Sequence, residues 1–153
     1  YDAIEALHLK KLSDAYVPMV IKMATTCLKQ SIGDEGQVCD QFTFKDRIKH
    51  NDSFWWVQAE SLVGFLNAYQ LTGNKAFIKA CEKIWKFTQE QHIDGRHGEW
   101  TWSAKRDTHS IAPDYKAGFW KGPYHNGRAM MEAADLLLKI EQQTDAKKHA
   151  KVN

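Results

Sequence analysis

The run FWKGPYHNGR (Phe119–Arg128) places a histidine and an arginine three residues apart. His125 lies between Tyr124 and Asn126, and Arg128 follows. An imidazole titrates near ~6.5, so His125 is suited to take and return a proton at neutral pH. Arg128 is suited to bind or polarise a carbonyl or enediolate oxygen. A start of a helix at this point would aim the imidazole into a cleft while the helix holds it. The alternative for the same residues is a capped helix start with a partly buried histidine.

A second group is WWVQAE (Trp55–Glu60). Adjacent helical residues point about 100° apart, so Trp55 and Trp56 cannot share a face. One is expected in the core and the other at a cleft. Glu60 lies one turn beyond Trp56 and shares its face. A tryptophan beside a carboxylate is a common way to hold a sugar; the alternative is a core aromatic with a solvated glutamate. His92, His97 and His109 have no metal-ligand spacing, no helical i, i+4 pair and no accompanying cysteine, so they read as surface or loop histidines. No glycine-rich phosphate cradle is present, which gives no support to ATP or a dinucleotide.

The elements that must position these groups read as helices. Ile4, Leu7, Leu9 and Leu12 follow a helical rhythm. Ser13 and Asp14 are cap-type residues, and Pro18 would suit the first turn of a second helix carrying Val20, Ile21, Ala24, Cys27 and Leu28 and ending near Gly33. Phe42–Phe44 favour an extended segment or hairpin arm, and 45–53 reads as a polar loop. A helix follows from about Phe54 to Leu71, with Ala59, Leu62, Val63 and Leu66 as its apolar stripe. Thr72–Asn74 break it. The next spans about Lys75 to Gln91 and buries Phe77, Cys81, Ile84 and Trp85. Residues 94–122 lack periodicity, but their aromatics argue against disorder, and long loops in a compact domain are usually functional. A last helix runs from Pro123 to about Gln142 through Met130, Met131, Ala134, Leu137 and Leu138. These boundaries give a domain at 1–142 and a frayed tail at 143–153. Helix pairs joined by long loops suggest a helical toroid or solenoid.

With 153 residues, 43% hydrophobic and 26% charged, the chain is sized for one globular domain. A net charge of +2 gives no electrostatic case for nucleic acid or an anionic membrane. No apolar run approaches the ~20 residues of a membrane span. The three cysteines, Cys27, Cys39 and Cys81, form no CxxC pair, and with no visible signal peptide a reduced cytoplasmic setting is expected. Tyr1 is not a methionine and the helical rhythm begins at once, as expected of a fragment or processed chain. Seven histidines and six tryptophans suit a cleft for something flat and polar, and sugars qualify.

WWVQAE, the downstream GEWTWS (Gly98–Ser103) and KAGFWKGPYHNGR (Lys116–Arg128) resemble, in order and spacing, the N-acylglucosamine 2-epimerase and cellobiose 2-epimerase family. The resemblance runs from about Asp2 to Leu138 and covers the C-terminal part of the family domain. It implies an all-α fold, the C-terminal portion of a twelve-helix (α/α)6 barrel, with about five helices, a long loop region and a short hairpin. It implies an isomerase that opens a sugar ring and moves the C2 proton through an enediolate, with no metal or organic cofactor carrying the chemistry. His125 matches one of two histidines that flank C2. Trp120 matches an aromatic that stacks on the sugar, and Glu60 and Glu99 match polar positions around the cleft. The other histidine belongs to a Gly-His-Asp-Ile-Glu segment; here Ile4 and Glu5 align, so Glu5 carries over, while Asp2 holds the histidine position. An aspartate with a reference pKa near ~3.9 is a weak base for an α-carbon proton. His8 could approach the same face, where the family usually has a tryptophan.

The leading expectation is therefore a C-terminal piece of a sugar 2-epimerase. His125 is its acid/base, Arg128, Glu60 and Glu5 bind oxygens, and Trp56 and Trp120 are stacking surfaces. Such a piece would be incomplete for catalysis and would present apolar faces to another chain, either the remaining barrel or a second copy. A non-catalytic sugar-binding or interaction protein is the alternative that Asp2 favours; a structural helical fragment without ligand is the third. The residues leave open whether the sugar is a hexose, an N-acylated hexosamine or a disaccharide.

Overall fold

The computed structural model describes residues 2–50, 52–104 and 115–149, without the side chains of Asp2, Glu5, Lys147 and Lys148. Five helices and one hairpin form among them: α1 (Asp2–Ala6), α2 (Lys10–Gln30), β1 (Gln41–Thr43), β2 (Ile48–His50), α3 (Trp55–Thr72), α4 (Lys75–Gln91) and α5 (Tyr124–His149).

The centre is α3. It is apolar nearly all round, as a helix enclosed by others must be. It buries Trp55, Ala59, Leu62, Val63, Phe65 and Leu66, with α4 on one side and α5 on the other. Gly73 ends it in the left-handed region, φ 68°, where a side chain would be strained. The Asn74 side chain then accepts the Ala76 amide and starts α4 within a residue. Phe77 and Ile84, both enclosed, face the α3 core. Each such burial contributes about 1.5–3 kcal/mol. Trp85, expected in that core, lies at its edge and packs against Trp100 at 6.3 Å between ring centroids.

Three local expectations are corrected. Ser13 and Asp14 do not cap a new helix: the Ser13 amide already bonds the Leu9 carbonyl at 3.0 Å, and Pro18 lies inside α2. The break falls earlier, at His8, where φ is 52°. Proline removes one helical hydrogen bond, and α2, which buries no residue, holds it within an uninterrupted helix. The polar stretch after Phe44 is not all loop, because Ile48–His50 forms the second hairpin arm, with Phe42 opposite Lys49 and Thr43 Oγ1 bonded to His50 Nε2 at 2.9 Å. And α5 continues past Gln142 to His149.

The segment before α5 is laced onto the start of α3. The Trp55 amide donates to the Trp102 carbonyl (3.1 Å), Ala104 to Ser53 (3.1 Å) and Trp102 to Tyr115 (2.7 Å). Gln58, fully enclosed, exchanges two 2.9 Å bonds with the Val38 backbone and fixes the turn that follows α2. These ties hold the first turns of α3 and α5 beside one another.

Candidate active site

The two helix starts bring His125 against Glu60. The His125 Nδ1 lies 2.8 Å from Glu60 Oε1. Partial burial pulls the Glu60 carboxyl upward, but hydrogen bonds from Arg128 and His125 outweigh it and hold it below the usual carboxylate range. An ionised carboxylate only accepts, so this contact places a hydrogen on Nδ1 and leaves Nε2 as the nitrogen not engaged by Glu60.

Arg128 reaches both Glu60 Oε2 and Glu132. Its Nη1 donates to each Glu132 oxygen at 2.8 Å and its Nη2 to Glu60. Those bonds, Glu60's first, push the guanidinium above its ordinary value. Its Nε is buried and finds no hydrogen-bond partner among the described residues.

The tryptophan pair divides as its spacing requires. Trp55 is 3% exposed, and Trp56 is 39% exposed with its ring 6.0 Å from that of His125. Tyr124 stands edge-on to His125 at 5.1 Å. Trp120 is 77% exposed and packs edge-on against Phe119 at 5.0 Å. Trp56 and Tyr124 thus form an open aromatic surface beside the imidazole.

Glu99 joins a separate cluster that reaches Asn126, the residue after His125. Its Oε1 accepts from Lys121 Nζ (2.8 Å), Asn126 Nδ2 (2.8 Å) and the Trp100 amide (2.9 Å). Partial burial raises this carboxyl, but those donors, Lys121 first, leave it below the ordinary value. The cluster stands on the loop headed by Asp94, whose oxygens bind Lys116, the Arg96 and His97 amides and the His97 ring. Lys116 above all holds the Asp94 carboxyl well below its usual range.

Of the residues singled out in the sequence, the structure gathers His125, Glu60, Arg128 and Trp56, with Glu99 on a neighbouring cluster; Trp120 is exposed and packs on Phe119 rather than on this group. The Glu5 and Asp2 side chains and His109 lie outside the described residues. His92 lies in the turn after α4, as expected of a loop histidine, but it is not at the surface: it is fully enclosed, with Nδ1 3.2 Å from the Thr101 carbonyl and its ring on Phe87. Lys121, Asn126 and Glu132 were missed. Lys121 and Asn126 sit inside the motif, and Glu132 is four residues after Arg128, a spacing that pairs charges on a helix. Among the described residues no three His, Cys, Asp or Glu side chains gather as a metal site.

A sequence model described as N-acylglucosamine 2-epimerase (GlcNAc 2-epimerase) matches residues 7–129. The chain belongs to the N-acylglucosamine 2-epimerase family. It is 36% identical over 115 residues to a cellobiose 2-epimerase of Bacteroides fragilis, covering 75% of this chain and 29% of that protein. A structure of a sugar epimerase from a ruminal bacterium superposes with a TM-score of 0.75 at 32% identity, covering 85% of this chain and 33% of that one. The cellobiose 2-epimerase of Bacillus thermoamylovorans gives a TM-score of 0.68 at 36% identity, covering 76% and 30%. The helices are thus part of the family's (α/α)6 barrel, and the chain spans about 30% of the length of these three relatives. His125, Glu60 and Glu99 all fall within the family match.

Proposed function

We propose that this chain supplies part of a sugar 2-epimerase site in which His125 moves the proton at C2. The observation that carries the reading is the Glu60–His125 pair. A carboxylate that takes the Nδ1 hydrogen leaves Nε2 of the neutral ring to act as the base, which supports the reading. Nε2 takes the C2 proton, the electron pair of the C–H bond moves toward the C1 carbonyl, and an enediolate forms. Return of a proton to the opposite face inverts C2. Trp56 and Trp120 offer stacking faces for the sugar, while Glu5 and Arg128 bind its oxygens. Two carboxylates already hold Arg128, so it meets a sugar oxygen by yielding one of those bonds.

The chain's share of its relatives' length supports turnover by the completed barrel rather than by this chain alone. The exposed side chains of Leu7, Leu9, Tyr16, Met19 and Met23 on and before α2, and of Met131, Leu137 and Leu138 on α5, support a partner there, either the remaining barrel or a second copy. A cytoplasmic setting belongs to the same proposal, supported by three free thiols. Among the described residues no helix is long and apolar enough to cross a membrane.

The test is exchange of the C2 proton with D2O. The chain joined to the remaining barrel segments is expected to deuterate C2 of at least one of mannose, N-acetylmannosamine and cellobiose. Binding of a sugar without any exchange would instead establish a non-catalytic relative on the same scaffold.

A further inference from the structure

The Glu99 cluster touches the first turn of α5 rather than the aromatic surface. We propose that Glu99 and Lys121 are a positioning pair that fixes, through Asn126, the place of His125; this rests on the reading of His125 as the proton-transfer residue.

Glu99 Oε1 meets three donors, from Lys121, from Asn126 and from the amide of Trp100. A carboxylate oxygen has two lone pairs, so three donors leave Oε1 nothing for a sugar hydroxyl. The Lys121 side chain has 0% exposure, its ammonium 5.1 Å from the Trp55 ring centroid, and Trp55 in turn stands edge-on to His125 at 6.3 Å. A charge so enclosed is costly unless paired, and well-packed apolar side chains would serve stability equally well. What the ionic arrangement adds is direction: loop and helix start meet at one oxygen.

The backbone supports the same reading. Gly98 and Glu99 are both left-handed, with φ 74° and 67°. The first suits a glycine, whereas a glutamate is uncommon there. The turn aims the Glu99 carboxylate back onto the Trp100 amide and inward to Lys121. Asn126, adjacent to His125 on α5, is thereby tied to the loop, while Glu60 on α3 holds the imidazole. Release of Asn126 would let His125 shift against Glu60, and a displacement near 1 Å costs about 10²-fold in rate.

The test uses the full chain with 15N-labelled histidine, comparing wild type with Glu99→Gln and Asn126→Ala. The ring nitrogens of His125 are read by NMR, and in the completed barrel kcat and KM for C2 exchange are measured. In both variants the Nδ1-protonated form of His125 is expected to lose population, with kcat about tenfold lower and KM within about twofold. An unchanged His125 spectrum with a raised KM and unaltered kcat would put Glu99 Oε2 on the sugar and overturn the proposal. If Glu99→Gln fails to fold because Lys121 is stranded, Asn126→Ala, which keeps the ion pair, decides alone: an unchanged His125 spectrum overturns it. A spectrum that depends on Glu99 and Asn126, with no exchange by any form, would keep the positioning pair and reject the epimerase reading.

Discussion

Glu60 and Glu99 are two carboxylates that bind adjacent residues of α5, His125 and Asn126, and they are built differently. Both bind a cation and a residue of the first turn of α5, and both are held below the ordinary carboxylate range against partial burial. Glu60 divides its work: one oxygen takes His125, the other Arg128, and Arg128 is shared with Glu132. All four side chains remain about a third exposed. Glu99 instead gathers three donors on one oxygen and faces a cation shut away from water. The first cluster can trade partners when a ligand arrives, because water already reaches it. The second cannot move without exposing or stranding a charge. One is suited to chemistry, the other to holding the frame in which chemistry happens.

The largest effect that would sharpen this contrast is on stability. Glu99→Gln strands the Lys121 ammonium and is expected to lower the unfolding free energy by about 3 kcal/mol, read from urea denaturation. Glu60→Gln leaves only partners that are about a third exposed and is expected to cost about 1 kcal/mol or less, while slowing the proposed exchange by about 10²-fold. Equal losses of stability from the two variants would erase the distinction.

The acid limb of stability gives a second comparison. Because both carboxyls are depressed in the folded chain, their contribution is complete above the ordinary carboxylate pKa of ~4.3 and is lost as pH falls through the lowered folded values. Wild type should therefore weaken below about pH 4.5. Glu99→Gln should weaken less steeply there, since one of the two groups no longer titrates; a slope identical to wild type would show that Glu99 contributes nothing to acid sensitivity. The smallest effect belongs to an exposed ring. Trp120→Ala is expected to change stability by less than about 0.5 kcal/mol, yet to weaken sugar binding, measured by calorimetry on the completed barrel.

The sequence made the helical frame legible where local signals agree with packing. α4 falls at Lys75–Gln91 as expected, because Asn74 caps it and its apolar residues keep one face. The Trp55–Trp56 division and the Trp56–Glu60 face follow from helical geometry alone. Elsewhere tertiary contacts overrode local preference. Pro18 marks no helix start in α2. Ile48–His50 pairs with β1 although its composition is polar. On α5 the buried stripe runs through Ala129, Ala133, Leu136 and Ile140, and Met131, Leu137 and Leu138 lie outside it. Glu60, Glu99 and Arg128 were legible as candidates but not in their pairing, and Lys121 and Glu132 were not legible at all. A carboxylate and a lysine 22 residues apart, as Glu99 and Lys121 are, carry no periodic signal that joins them. His92 looked like an exposed loop residue because it follows α4, but the return of Thr101 over it closes it from water.

The central claim is that His125, held by Glu60, moves the C2 proton. Mass spectrometry of C2 deuterium after incubation in D2O, comparing the completed barrel with its His125→Ala form, tests it most directly. The account predicts deuterium at C2 for the wild-type sequence and none above the uncatalysed background for His125→Ala. Undiminished exchange with His125→Ala, in a folded protein that still binds the sugar, would contradict it.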